Sequence, residues 1–116
     1  MQQISTHQLS NWIAESRSPG DSNTQQRPKP LLLDVREPWE YEHCHLAGSL
    51  PMPMNAVPAR LNELDADADV VVICHHGGRS MQVAMFLERS GFSSIYNLAG
   101  GVNAWAHDID PAMRKY

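Results

Sequence analysis

Three short apolar runs, separated by longer segments with helical spacing, limit the folds that are open to this chain. The runs are residues 31–35, Val70–Ile73 and Ile95–Leu98. Runs of four or five residues are typical of strands that are buried on both faces, and Val70–Ile73 is β-branched throughout. Strands of this kind that alternate with helices predict an α/β fold, an open parallel sheet with helices on both faces.

Helical segments are predicted between and beside these strands. Apolar residues recur at three- and four-residue spacing after Ser5 or Thr6, and again in the segment that ends before Gly91. The predicted helical segments are 6–15, 37–43, 55–64, 81–90 and 101–105, with a very short strand near 50–52.

The length of the chain favours a single domain. Its 116 residues suffice for one compact core, so we expect one domain over residues 1–116. The segment 17–30 has no aliphatic residue and three prolines, which predicts a flexible polar surface loop. Whether that loop binds a partner is left open by its composition.

Charge and hydropathy exclude several partners. Nine Lys and Arg against 13 Asp and Glu give a net charge of −4 with no basic stripe, so nucleic acid is not expected. The longest apolar run, residues 70–74, is far short of the roughly 20 residues that cross a bilayer, and residues 1–10 lack a signal-peptide pattern. No membrane association is expected. With only two cysteines, which favours free thiols, the expected compartment is the cytoplasm.

Cys74 follows the most strand-like run and is the candidate nucleophile. In open α/β sheets, ligands bind beyond the carboxyl ends of the strands. Gly77 and Gly78 allow the backbone to turn several N–H groups towards one centre, which holds an anion. The next helix begins here and Arg79 adds a positive charge, and both favour the thiolate of Cys74 over the thiol.

Three ordered segments of the chain carry a family resemblance. They are LLDVREP at 32–38 with HLAGS at 45–49, then CHHGGRS at 74–80, then LAGGVNAW at 98–105. Together they resemble the signatures of the single-domain rhodaneses, the thiosulfate-type sulfurtransferases. The resemblance implies a rhodanese-like open parallel sheet with helices on both faces.

The resemblance also implies a mechanism and a set of site residues. Cys74 would attack a sulfane sulfur, hold it as a persulfide, and pass it to a thiophilic acceptor. Thiosulfate or a persulfide would be the donor, and cyanide, a small thiol or a protein thiol the acceptor. Asp34 and Arg36 are interpreted as fold residues that tie the first segment together, with Arg36 also a possible residue at the mouth of the site, and no metal or organic cofactor is implied. The residues implied to bind substrate are His75, His76, Gly77, Gly78, Arg79 and Ser80.

Two other functions are compatible with the same pattern. A catalytically quiet rhodanese module would bind a partner protein, although it would not need Cys74. A phosphatase or arsenate reductase of the same fold would have five residues between the cysteine and the arginine, whereas four separate Cys74 from Arg79. The shorter loop favours a single sulfur atom over a larger oxyanion. Cys44 departs from the family pattern, and it is either an inert neighbour or a resolving thiol for Cys74.

Overall fold

The predicted open parallel sheet is confirmed by a computed structural model that describes residues 1–17 and 28–116. Within these residues, five strands lie in the order β1-β5-β4-β2-β3, and every neighbouring pair is parallel. The strands are β1 (Gln2–Ile4), β2 (Leu31–Asp34), β3 (Leu50–Pro51), β4 (Val70–Ile73) and β5 (Ile95–Leu98).

Helices connect the strands on both sides of the sheet. Within the described residues, the α-helices are α1 (Thr6–Arg17), α2 (Pro38–His43), α3 (Gly78–Arg89) and α4 (Gly101–Asp108). The side chain of Glu37 and that of Glu40 cap the first turn of α2 reciprocally. Gly91, with φ of +100°, follows the end of α3, where a left-handed residue commonly ends a helix.

The central strand β4 divides the core into two layers. Successive side chains of a strand point to opposite faces, so Val70 and Val72 pack with α3, while Val71 and Ile73 pack on the side of α1 and α4. All four residues are fully buried. Because both faces are covered, an uninterrupted β-branched run is the sequence pattern that this strand requires.

Two elements differ from the sequence prediction. The strand β1 was not predicted, because only one of its three residues is buried and its polar side chains show no strand pattern. The helix predicted over 55–64 is instead a pair of short 3-10 helices, Met54–Ala56 and Pro58–Glu63. Pro58 begins the second of them, and Arg60 has non-helical angles inside it, so no continuous α-helix forms.

The predicted flexible loop at 17–30 falls mostly on residues 18–27, which lie outside the described residues. Of the helices in the described part of the chain, none has the length and apolar character needed to cross a membrane.

Candidate active site

Cys74 lies directly after β4 at the carboxyl edge of the sheet. Its thiol is 1% exposed and belongs to the core layer under α3. The backbone N–H of Gly77 donates a hydrogen bond to the sulfur atom of Cys74, with 3.0 Å between nitrogen and sulfur. Gly77 reaches this position with φ of +109°, a conformation that favours glycine. The loop therefore turns at least one amide towards the thiol.

The amino-terminal end of α4 fixes the first two residues of the loop. The N–H of Val102 donates to the carbonyl of Cys74 at 2.8 Å, and the N–H of Asn103 donates to the carbonyl of His75 at 3.0 Å. Gly101 immediately precedes Val102, and a Cβ atom at Gly101 would come within 2.3 Å of the Cys74 carbonyl oxygen. This close approach of two backbones explains the second glycine in the segment LAGGVNAW.

Asn97 on β5 holds the other end of the loop. Its amide nitrogen donates to the carbonyl of Gly77 at 3.2 Å, and its amide oxygen accepts a hydrogen bond from the hydroxyl of Ser80. Ser80 is fully buried. The expectation that Ser80 binds substrate is therefore corrected for its side chain, which is committed to Asn97 in the interior and supports the loop from behind.

Arg79 is engaged in an ion pair with Glu40 of α2. The two terminal nitrogens of the guanidinium donate to the two carboxylate oxygens at 2.7 and 2.9 Å. The Arg79 hydrogen bonds lower the pKa of Glu40 to about 2, although burial of that carboxyl acts in the opposite direction. The same pairing raises the pKa of Arg79. In this conformation one N–H of each terminal nitrogen of Arg79 is occupied by Glu40, so these two N–H groups do not bind a substrate unless the ion pair opens.

Arg36 does not lie at the mouth of the site, which corrects the sequence-based expectation. It is 1% exposed, and its guanidinium is bound to the carboxylate of Asp34 at 2.6 to 3.1 Å. Its remaining N–H groups donate to the carbonyls of Glu40 and Cys44 and to the hydroxyl of Tyr116. With its five donors used internally, Arg36 joins β2 to α2 and to the end of the chain.

His75 and His76 occupy the outer part of the loop. His76 is exposed, while His75 is half-buried, and their rings pack edge to face with centroids 4.1 Å apart. Burial lowers the pKa of His75, and the neighbouring His76 lowers it further. Among the described residues, the buried Nδ1 atom of His75 has no hydrogen-bond partner. A neutral imidazole is therefore placed one residue from the thiol.

Tyr116 closes one side of this region. The centroid of its ring lies 4.2 Å from the centroid of the His75 ring. Its hydroxyl donates a hydrogen bond to Glu40 at 2.7 Å and accepts one from Arg36 at 2.9 Å. The contact between Tyr116 and Glu40 joins residues that are 76 positions apart. No local pattern reports a contact of that separation.

Cys44 is the second free thiol, at the end of α2. It is half-buried, and with His75 and Tyr116 it borders a small cavity behind the loop. No group of three or more His, Cys, Asp or Glu side chains in residues 1–17 and 28–116 is placed to hold a metal ion.

Sequence reasoning did not assign roles to Glu40, Asn97 and Gly101. Gly101 lies within the segment 98–105, and Glu40 lies between the segments 32–38 and 45–49. The sequence therefore pointed to both regions, but it did not show which residues Glu40 and Gly101 contact. Asn97 had one signal, since it is a polar residue inside a strand that is otherwise buried.

Comparisons with known proteins agree with this architecture. A family model described as a rhodanese-like domain matches residues 21–108. A rhodanese-like domain protein of Staphylococcus aureus has a solved structure that is 28% identical, with a TM-score of 0.76, covering 90% of this chain and 91% of that one.

Three curated relatives are similar in sequence. A protein named sulfurtransferase from Allochromatium vinosum is 40% identical over 66% of this chain and 71% of its own length. The thiosulfate sulfurtransferase GlpE of Stutzerimonas stutzeri is 29% identical over 77% of this chain and 82% of its own length. The rhodanese-like/PpiC domain-containing protein 12 of Arabidopsis thaliana is 40% identical over 73% of this chain, but the match spans only 30% of that protein's length.

The parallel sheet, with a cysteine-containing loop at its carboxyl edge, defines an α/β protein with a rhodanese-like fold. The chain belongs to the rhodanese-like domain family.

Proposed function

We propose that this chain is a sulfurtransferase that moves a sulfane sulfur from thiosulfate or a persulfide to a thiophilic acceptor, with Cys74 as the nucleophile. The acceptor is cyanide or a thiol, which includes a protein thiol. The observation that carries the proposal is the hydrogen bond from the Gly77 N–H to the sulfur of Cys74. An amide that points at a thiol also stabilises a negative charge on that sulfur.

The chemistry proceeds in two displacements. The Cys74 thiolate attacks the outer sulfur of thiosulfate, the S–S bond of the donor breaks, and sulfite leaves with the bonding electron pair. Cyanide then attacks the outer sulfur of the Cys74 persulfide, and thiocyanate leaves while the thiolate is restored. Each step exchanges one bond to sulfur for another, so no oxidant or reductant is consumed.

The surroundings of Cys74 suit a transient persulfide. The loop is held by α4 and by Asn97 on separate backbone atoms, so its amides keep their positions while the sulfur chain lengthens by one atom. The names of the relatives from Allochromatium vinosum and Stutzerimonas stutzeri also favour sulfur transfer.

The test is a mass measurement on the purified protein after incubation with thiosulfate. We expect a gain of one sulfur atom on the peptide that contains Cys74, and loss of this sulfur as thiocyanate when cyanide is added. Cys74→Ser should neither gain sulfur nor turn over, because a hydroxyl is a poor nucleophile towards sulfur.

The chain offers a matched control, since Cys44→Ser changes the other thiol in the same way. We expect this variant to load sulfur on Cys74 as the parent does. Sulfur transfer by a folded Cys74→Ser protein would refute the proposal. A protein that loads no sulfur from thiosulfate or a persulfide would point instead to a quiet binding module.

A further inference from the structure

Glu40 is the one acidic side chain within the described residues that pairs with the arginine of the Cys74 loop. We propose that Glu40 is a specificity-determining residue that disfavours thiosulfate and makes thiol-bound sulfane sulfur, a persulfide, the preferred donor. This inference rests on the proposed function, in which Cys74 receives the sulfur.

The geometry of the ion pair supports this role. A sulfonate is best bound by two parallel N–H donors of a guanidinium, and the end-on pair of Arg79, one N–H from each terminal nitrogen, already donates to Glu40 at 2.7 and 2.9 Å. The Arg79 side chain is 37% exposed, so a donor can reach it, but what the donor meets is a neutralised pair. A dianion near this pair meets the carboxylate as well as the guanidinium.

Glu40 is held firmly in this position. Its oxygens also accept hydrogen bonds from the N–H of Glu37 at 3.0 Å within the cap of α2, and from the hydroxyl of Tyr116 at 2.7 Å. The carboxylate is 4% exposed and stays ionised at neutral pH, because its pKa is about 2. Releasing Arg79 to an incoming anion would leave a buried charge without its counter-ion, which is unfavourable.

Other cations nearby do not replace Arg79. Arg36 is buried and neutralised by Asp34. Arg114 and Lys115 border the small cavity behind the Cys74 loop, but both are exposed to solvent, where charges are screened. They attract any anionic donor weakly and do not distinguish one from another.

A persulfide donor does not need the guanidinium. The Cys74 thiolate attacks the terminal sulfur of R–S–SH, the S–S bond of the donor breaks, and R–S⁻ leaves with the electron pair while Cys74–S–SH forms. Neither reactant nor leaving group carries a sulfonate or sulfite, so the reaction places no demand on the terminal fork of Arg79. The Gly77 amide faces the sulfur in either reaction.

The experiment compares two donors in three proteins. Thiosulfate and glutathione persulfide are used with cyanide as the common acceptor, and KM and kcat are measured for the parent, Glu40→Gln and Glu63→Gln. Glutamine keeps the shape of the side chain and an oxygen for the Glu37 amide. Glu63→Gln is the matched control, because Glu63 makes an equally bidentate pair with Arg60 at 2.9 Å on an exposed surface away from the site.

The expected result is a change in donor preference rather than a general loss of activity. Glu40→Gln should lower KM for thiosulfate about 5- to 10-fold, the size expected for removing one partly screened charge, and leave the persulfide KM within about twofold. Glu63→Gln should leave both unchanged. The gain for thiosulfate should disappear in Glu40→Gln/Arg79→Gln, because it depends on a freed Arg79.

A thiosulfate KM that is unchanged or raised in folded Glu40→Gln would overturn this inference while sulfur loading of Cys74 remained intact. If the parent accepts sulfur from neither donor, the proposed function itself fails. Should Glu40→Gln not fold, Glu40→Asp provides the second test. It keeps the charge but shortens the reach to Arg79, so KM for thiosulfate should fall by a smaller factor, and an unchanged value would again refute the role of Glu40.

Discussion

At Gly101 the backbone of α4 passes so close to the Cys74 loop that no side chain fits between them. The residue also has φ of +58°, which disfavours any residue with a Cβ atom. The atoms that a Cβ would meet are the carbonyl groups of Cys74 and His75, and both belong to backbone that other hydrogen bonds already fix. One glycine thus sets how near the helix lies to the nucleophile.

Gly101→Ala should therefore destabilise the protein by about 2 to 4 kcal/mol and displace the loop. Urea unfolding measures the first effect, and sulfur loading of Cys74 per folded molecule measures the second. Gly78→Ala is the matched control for stability, since a Cβ there meets nothing within 4 Å. Its unfolding free energy should stay the same or rise by up to about 1 kcal/mol, because alanine is favoured over glycine in a helix. Equal stabilities of the two variants would contradict the steric argument.

Arg36 shows which contacts of a motif residue can be predicted from the sequence and which cannot. Asp34 ends β2 and Arg36 follows two residues later, so the pairing of their side chains is a local contact that the sequence can suggest. The other partners, the carbonyl of Cys44 and the hydroxyl of Tyr116, come from chain segments that no spacing rule connects. Burial of the arginine follows from these distant contacts, which is why the sequence left it at the mouth of the site.

An ion pair between Glu40 and Arg79 joins α2 to α3, and its strength depends on the charge of the Glu40 carboxyl. Because Arg79 lowers the pKa of Glu40 from 4.5 to about 2, the carboxylate stabilises the folded state most fully at pH values above its ordinary pKa. That contribution is lost as the pH falls from about 4.5 through about 2.

The pH dependence of unfolding tests this contact. The difference in unfolding free energy between the parent and Glu40→Gln should be largest above about pH 5 and shrink as the pH falls towards 2. Glu63→Gln should show a smaller change over the same range, because its pair with Arg60 is exposed. A difference between parent and Glu40→Gln that is constant from pH 5 to pH 2 would show that Glu40 is not held ionised by Arg79.

Elements were predictable from sequence where burial imposed a pattern. Val70–Ile73 and Ile95–Leu98 are covered on both faces, and their composition predicted strands with the bounds that the structure shows. Gln2–Ile4 lies at the edge of the sheet, where two polar side chains are exposed and only pairing with β5 makes it a strand. Pairing partners of an edge strand are not encoded in its own residues.

At the scale of the whole molecule, the sheet and its covering helices place the loop but do not choose its chemistry. The loop has four residues between Cys74 and Arg79, and we expect a loop this short to suit one sulfur atom better than a phosphate. The number of residues in the loop can be counted in the sequence, and it does not follow from the order of the strands or from the helices that cover them.

The protein should therefore hydrolyse aryl phosphates negligibly. We expect release of p-nitrophenol from p-nitrophenyl phosphate to be at least roughly a hundredfold slower than sulfur transfer, since misplacement by about 1 Å has that effect. Cys74→Ser serves as the blank for any background hydrolysis. Hydrolysis that depends on Cys74 and matches the rate of sulfur transfer would mean that loop length does not select the reaction.

The amides of Val102 and Asn103 that hold the carbonyls of Cys74 and His75 also fix when the nucleophile is assembled during synthesis. A ribosome makes Cys74 long before it makes β5 and α4, and until those segments emerge the loop lacks both of its anchors, Asn97 and the start of α4. The surroundings that the proposed chemistry of Cys74 requires are therefore complete only once the segment Asn97–Asn103 has emerged from the ribosome and docked against the loop.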